Sequence, residues 1–399
     1  MDGAAHPPTH SLAQPGRIAH NSRTPHPKKP MNQPQVAPTE EEVDDLDELN
    51  EVLPTTYSIT SYGADYPVDG LVKRMNQGDI VVPLFRLEPE PGQSTVGFQR
   101  EFVWTKPQAD HFVESLLLGL PVPGIFLVKE SNGKHLVLDG QQRLRTLESF
   151  YGGLFQGKEY LLENVQEKWR GKNYKTLHAD DRRRLDDSII HATVVRQDEP
   201  TEDQSSIYLI FERLNSGGTF LQPQEIRVAL YHGQFASLLS RLNENAKWRA
   251  LYGKKSPRLK DIELILRFFS LHFYASKYER PMKDFLNRNM ASNRSLAKHD
   301  AAELTGIFEA TVSVIHDVLG LRAFRLKNAI NAATLDSVLV GVAARISKGP
   351  IEKPESLREA YTILLANKDY LAAIGRATAD EESVKTRLRL AKEHFSKVT

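Results

Sequence analysis

The sequence contains no cysteine. That absence excludes disulfides, a thiolate nucleophile and cysteine-rich zinc sites together, and it fits a cytoplasmic protein. Charge of one sign is also lacking: 52 Lys and Arg stand against 51 Asp and Glu, a net charge of +1. The whole-molecule field therefore favours no polyionic partner, and any nucleic-acid surface has to be local. Long apolar runs are missing as well. The greasiest stretch, Leu116–Val128, is interrupted by Pro121 and Pro123 and falls well short of the roughly twenty residues a membrane span needs. Residues 1–38 hold no apolar core such as a secretion signal requires. No membrane partner is expected.

What is present is the composition of a globular protein, 40% hydrophobic and 26% charged over 399 residues, long enough for one large domain or two ordinary ones. Residues 1–38 are rich in Pro, His, Asn and Gln and bury too little to offset ordering entropy, so they read as disordered. The irregular spacing of His6, His10, His20 and His26 favours a flexible tail over a metal site. An acidic stretch from Glu40 to Glu51 follows, with Leu46, Leu49 and Leu53 at helical spacing. The tail is assigned to residues 1–56, with order beginning near Tyr57.

Periodicity gives a helix over Val68–Gln77 and a strand over Asp79–Phe85. Pro89, Pro91 and Gly92 mark Arg86–Val96 as a turn or insertion. A helix from Lys106 has Thr105 as N-cap, Pro107 in its first turn, and a buried stripe of Ala109, Phe112, Val113, Leu116, Leu117 and Leu120. Gly119 and Pro121 end it. Gly124–Glu130 and Lys134–Leu138 flank Ser131-Asn132-Gly133 as a hairpin, and Ile189–Arg196 is a further strand. Beyond Gln204 the pattern is helical: Gln204–Leu214, Pro223–Tyr231, Phe235–Asn245, Lys260–Ser276, Pro281–Met290, Ala297–Leu319, Asn331–Arg345 and Ser356–Asn367. The fold class is therefore α+β, as a domain over 57–200 followed by an α-helical domain over 201–399.

Four constellations can carry chemistry. Asp139-Gly140-Gln141-Gln142-Arg143 lies between an apolar strand and a run of helical spacing beginning at Leu144, a junction that can present backbone amides to an anion. Arg143 offers a fork of donors and Gly140 allows close backbone approach. Gln141 and Gln142 can orient a ribose, a base or a water, while Asp139 can hold a cation or act as a base. An Asp-Gly turn with a locally paired arginine is the simpler alternative. In Gly97–Trp104 the aromatics Phe98, Phe102 and Trp104 alternate with polar residues, placing Gln99 and Arg100 beside a strand end or in a half-buried strand. Phe211–Thr219 reads as a helix ending at Asn215 with Gly217 and Gly218 as its stop. Arg213 and Asn215 are left as a polar pair able to reach an anion. Arg182-Arg183-Arg184 and Lys254-Lys255 read as solvated faces, and His191 as a hydrogen-bonded structural histidine.

Taken in order, Phe98-Gln99-Arg100…Val103-Trp104, Asp139–Leu144 and Phe211-Glu212-Arg213-Leu214-Asn215…Gly218 resemble the N-terminal domain of GmrSD-type restriction systems. The resemblance spans Tyr57 to Met290. It implies a ParB/sulfiredoxin-like fold with a mixed sheet, and a domain of bacterial anti-phage defence that binds and hydrolyses an NTP, GTP or ATP, with Mg²⁺. Asp139, Gln141, Gln142 and Arg143 would then form the NTPase motif. Gln99, Arg100, Gly140 and Asn215 would be pocket residues, and Asp139 the metal ligand. Two features depart from the pattern. Arg86–Val96 separates the preceding strand from Gln99-Arg100, and the helical C-terminal region has no HNH-like His-x-x-Pro signal, so the expectation is that the chain lacks its own HNH nuclease. The lack of cysteine excludes familiar sulfiredoxin chemistry. Two other activities stay open, a non-catalytic sensor of modified DNA that recruits a partner nuclease, and a ParB-like Mg²⁺-dependent DNA nuclease.

Overall fold

The computed structural model describes residues 58–85, 98–99, 104–199, 205–214 and 221–399. The tail expected over 1–56 and the insertion expected over 86–96 lie outside them. The first part of the chain builds strands β1 (Ser58–Pro67), β2 (Ile80–Val81), β3 (Leu84–Phe85), β4 (Phe98–Gln99), β5 (Ile125–Lys129), β6 (His135–Asp139), β7 (Leu154–Phe155), β8 (Lys158–Glu159) and β9 (Ile189–Glu199). Among them lie helices α1 (Val68–Asn76), α2 (Lys106–Leu118), α3 (Gln141–Gly152) and α4 (Ala179–Asp186).

A five-stranded sheet has the order β1-β9-β5-β6-β2. It is mixed: β1 with β9 and β5 with β6 run antiparallel, while β5 with β9 and β2 with β6 run parallel. The central strands read as near-continuous apolar runs because both faces are covered. Along β6, Val137 joins one apolar cluster with Ile125, Ala192 and helices α1, α2 and α3. Its neighbours Leu136 and Leu138 point the other way, into a second cluster shared with Val128, Val195 and the helices that follow. One apolar core therefore continues from the sheet into the helical part of the chain.

Those helices are α5 (Ser205–Leu214), α6 (Pro223–Leu230), α7 (Gln234–Leu242), α8 (Ala246–Tyr252), α9 (Lys260–Tyr274) and α10 (Met282–Ser292). Then come α11 (Ala301–Val314), α12 (Ala332–Ile346), α13 (Pro354–Ala366), α14 (Lys368–Gly375) and α15 (Glu381–Phe395). Helix α9 is buried on every side from Asp261 to Leu271, so it runs through the middle of the helical layer. Its buried charged side chains are paired in the interior, Glu263 with Arg227 at 2.8 Å and Arg267 with Asp336 at 2.7 Å, and Arg387 of the last helix shares Asp336 at 3.0 Å. Gly341 of α12 lets α15 approach closely, since a Cβ there would lie 2.7 Å from the Phe395 ring. No helix among the described residues is long and apolar enough to cross a membrane.

Most of the expected elements are present, with informative differences. The strand expected over Asp79–Phe85 is divided into β2 and β3 around Pro83, which cannot donate to a ladder. Leu120, expected in the buried stripe of α2, is 52% exposed because the left-handed Gly119 has already turned the chain. Strand β1 was not anticipated. Neither were α8, α14 and α15.

Candidate functional site

The pentapeptide 139–143 occupies the junction its sequence suggests. Strand β6 closes on Asp139, Gly140 makes the turn, and α3 begins at Gln141. Gly140 sits at φ 94°, a left-handed conformation costly for any residue with a Cβ. A Cβ there would also collide with the Ile125 side chain. The tight turn brings the first turn of α3 against the C-terminal end of β6. Having no side chain, Gly140 cannot cap the first-turn N–H groups, and α3 has no side-chain cap there. An uncapped helix N-terminus carries partial positive charge and orphan donors.

Arg143 folds back over this turn. Its Nη2 donates to Asp139 Oδ2 at 2.9 Å and to the Gly124 carbonyl at 2.8 Å. The side chain is 15% exposed, against 53% for Asp139. The local pairing of the simpler alternative is thus present, but it uses one of three nitrogens. Nε is buried with no hydrogen-bond partner, and Nη1 makes no bond among the described residues. A buried unpaired donor on a cation is costly, of order 1–3 kcal/mol or more, and such a group commonly marks a functional position or an absent partner. Asp139 Oδ1 is likewise unengaged among the described residues.

The glutamines diverge. Gln142 Oε1 accepts from the Trp104 N–H at 3.3 Å, tying the start of α3 to the segment that enters α2. Trp104 is held edge-on to Phe112, with ring centroids 5.5 Å apart. Gln141 is half-buried and makes no side-chain bond among the described residues. Gln99 lies in β4, paired in register with Leu84. Arg100 and Asn215 lie outside the described residues, so their approach to the site is not part of this geometry. Arg213 lies exposed in the last turn of α5.

Gly124 escaped the sequence reading. Its carbonyl fixes Arg143 across nineteen positions of chain, and the signal for it was the Pro121-x-Pro123-Gly124 run that stiffens the approach to β5. His191, expected to be a bonded structural histidine, is hydrogen-bonded to Asp65 across the β1–β9 pair and is exposed. The basic clusters are partnered as solvated faces: Arg183 with Asp180 at 2.6 Å and Lys255 with Glu244 at 2.8 Å. Among the described residues no group of three or more His, Asp or Glu is placed to hold a metal. Asp139 therefore offers one carboxylate. That fits Mg²⁺ in the manner of a nucleotide-bound ion, whose shell comes mostly from phosphate oxygens and water.

Comparison with known proteins adds one finding. Residues 71–232 match the family model described as the GmrSD restriction endonuclease, N-terminal domain. The match runs from α1 to the turn after α6 and includes all three sequence motifs. It is narrower than the Tyr57–Met290 expected from the motifs. This stretch is similar to a component of restriction-type systems. No curated protein matches the chain.

Proposed function

We propose that the domain built on residues 71–232 has a ParB/sulfiredoxin-like fold. It would bind a nucleoside triphosphate, GTP or ATP, at the β6–α3 junction and hydrolyse it as part of a bacterial anti-phage, restriction-type system. One observation carries the reading: a largely buried Arg143 with an unpartnered Nε, set beside an uncapped helix N-terminus. Both are donor groups, and together they suit a polyphosphate. Asp139 holds Arg143 in place through Nη2 and keeps a second oxygen for Mg²⁺ or for the attacking water. Gln141, half-buried and unengaged among the described residues, orients the nucleotide or that water. Gln142 and Trp104 set the position of the α3 terminus, and Gly140 keeps the turn tight enough for backbone approach. Gln99, Arg100 and Asn215 complete the pocket in this reading.

When bound, Mg²⁺ supplies charge neutralisation at the phosphates. The chain's own part is positioning and electrostatic stabilisation of the transferred phosphoryl group, the main catalytic terms in such reactions. DNA, modified or not, would be cut by a partner nuclease that this domain controls. The test is phosphate release by the purified chain with GTP, ATP, CTP and UTP in Mg²⁺. Arg143→Ala is expected to lower turnover by about 10²–10³, the usual cost of losing one charge-stabilising donor, and Asp139→Ala to lower it comparably. Equal rates in wild type and both variants would overturn the assignment.

A further inference from the structure

The helical layer carries a cleft apart from the β6–α3 junction. The C-terminal end of α9, the single turn 275–277, α10 and the turn before α11 enclose a cleft of about 230 Å³. None of its lining residues lies within 71–232. Lys277, Arg288 and Lys298 line it. Arg288 spends its Nε on Asp284 at 3.2 Å, leaving its two terminal nitrogens unengaged. Lys277 and Lys298 form no ion pair among the described residues. Three cations line one space and only Arg288 has an ion-pair partner among the described residues; like charges repel, and an anion relieves that repulsion.

The rest of the lining is aromatic (Tyr274, Phe285), amide (Asn289) and hydroxyl (Ser292). Tyr274 stands as one wall, with the Lys298 ammonium 5.9 Å from its ring centre. Its hydroxyl is hydrogen-bonded to His299 Nε2 at 2.9 Å, and His299 stacks on Phe273 at 3.8 Å, so the tyrosine ring is held in a fixed plane. Phe285 also contributes to the lining. Asn289 donates Nδ2 to the Phe285 carbonyl at 2.7 Å, which leaves Oδ1 as an unengaged acceptor. Tyr274 and Asn289 also border a separate chamber of about 10 Å³, where Ser270 Oγ is buried without a hydrogen-bond partner. Cations beside a fixed aromatic face and free amide edges are the elements by which proteins hold unpaired nucleotides.

We propose that this cleft binds a phosphorylated base, one nucleotide unit. The phosphate meets Arg288, Lys298 and Lys277, the base lies against Tyr274, and its polar edge reaches Asn289. The cleft is sized for a single unit, which excludes a duplex. The source is either a free mononucleotide or one unit of a single strand. The test uses the full chain carrying Arg143→Ala, so that the β6–α3 site is silent. Binding of a fluorescein-labelled ten-residue oligo-dT is followed by anisotropy, and binding of AMP and of inorganic phosphate by calorimetry.

Binding of AMP, of the strand, or of both is expected. It should weaken at least tenfold in Arg288→Gln/Lys298→Gln and in Tyr274→Ala, and be retained in Tyr274→Phe. Competition by AMP identifies a free nucleotide as the source; binding of the strand alone identifies a strand unit. The two cations are exposed or half-exposed, so an unchanged thermal midpoint is expected; Lys298→Gln alone carries the same test if the double variant unfolds. No binding of either probe, equal affinity in the double variant, or phosphate binding as tightly as AMP would overturn the proposal.

Discussion

Gly140 bears two constraints, one torsional and one steric. Its φ of 94° costs an L-residue about 1–2 kcal/mol, and the Ile125 side chain occupies the space a Cβ would take. Gly140→Ala is therefore expected to destabilise the chain by more than that backbone cost, read as a lowered midpoint in urea unfolding. An unchanged midpoint would show that the turn can relax. Arg143 makes the complementary case. Its charge is held by Asp139 and the Gly124 carbonyl, so Arg143→Lys keeps a cation but loses the fork of donors. Nucleotide turnover should fall in that variant while the unfolding midpoint stays close to wild type. The Asp-Gly-x-x-Arg spacing made the turn, the helix start and the i,i+4 pair legible from sequence. Gly124 was not legible, because the contact that gives it meaning joins positions far apart in the chain.

Elements were readable where local chemistry and burial agree. Helix α2 announced itself: the Thr105 N–H donates to Gln108 Oε1 at 2.9 Å and Gly119 closes the helix at φ 71°. Strand β1 was unreadable because every residue along it is exposed or half-exposed, so it has no buried face to alternate. Only its ladder with β9, from Ser58↔Glu199 to Pro67↔Ile189, defines it. Helix α15 looks solvated by composition, yet it buries Val384, Leu388, Ala391 and Phe395 along one stripe. It also places Arg387 on the interior Asp336. That carboxylate joins α9, α12 and α15 by pairing with two buried guanidiniums. Asp336→Ala removes the carboxylate these two guanidiniums share and should cost about 3–5 kcal/mol in denaturant unfolding; a loss under 1 kcal/mol would mean that other groups take its place.

At the scale of the whole molecule, burial acts in one direction on three histidines. His135, His232 and His272 are each held below their ordinary value of 6.5, chiefly by burial, with Lys129, Arg294 and Lys392 respectively adding to it. The unfolded chain then takes up protons first as pH drops below 6.5, so stability is full above that value and declines beneath it. Glu263 extends the decline. Burial alone would raise its carboxyl, but Lys260 and Arg227 outweigh that and hold it at about 2. Its contribution is present above about 4.5 and is lost toward pH 2. Unfolding free energies at pH 7.5 and 5.5 should therefore differ, with the lower value at pH 5.5. The difference should shrink in His232→Gln; a flat profile in wild type would contradict this.

The most direct measurement is a calorimetric titration of each nucleoside triphosphate, with Mg²⁺, into the chain carrying Arg288→Gln/Lys298→Gln, so that the helical cleft does not contribute. At least one triphosphate should bind saturably, and adding Arg143→Ala should weaken it tenfold or more. Binding of none of them, or the same affinity with and without Arg143, would contradict a triphosphate site at the β6–α3 junction.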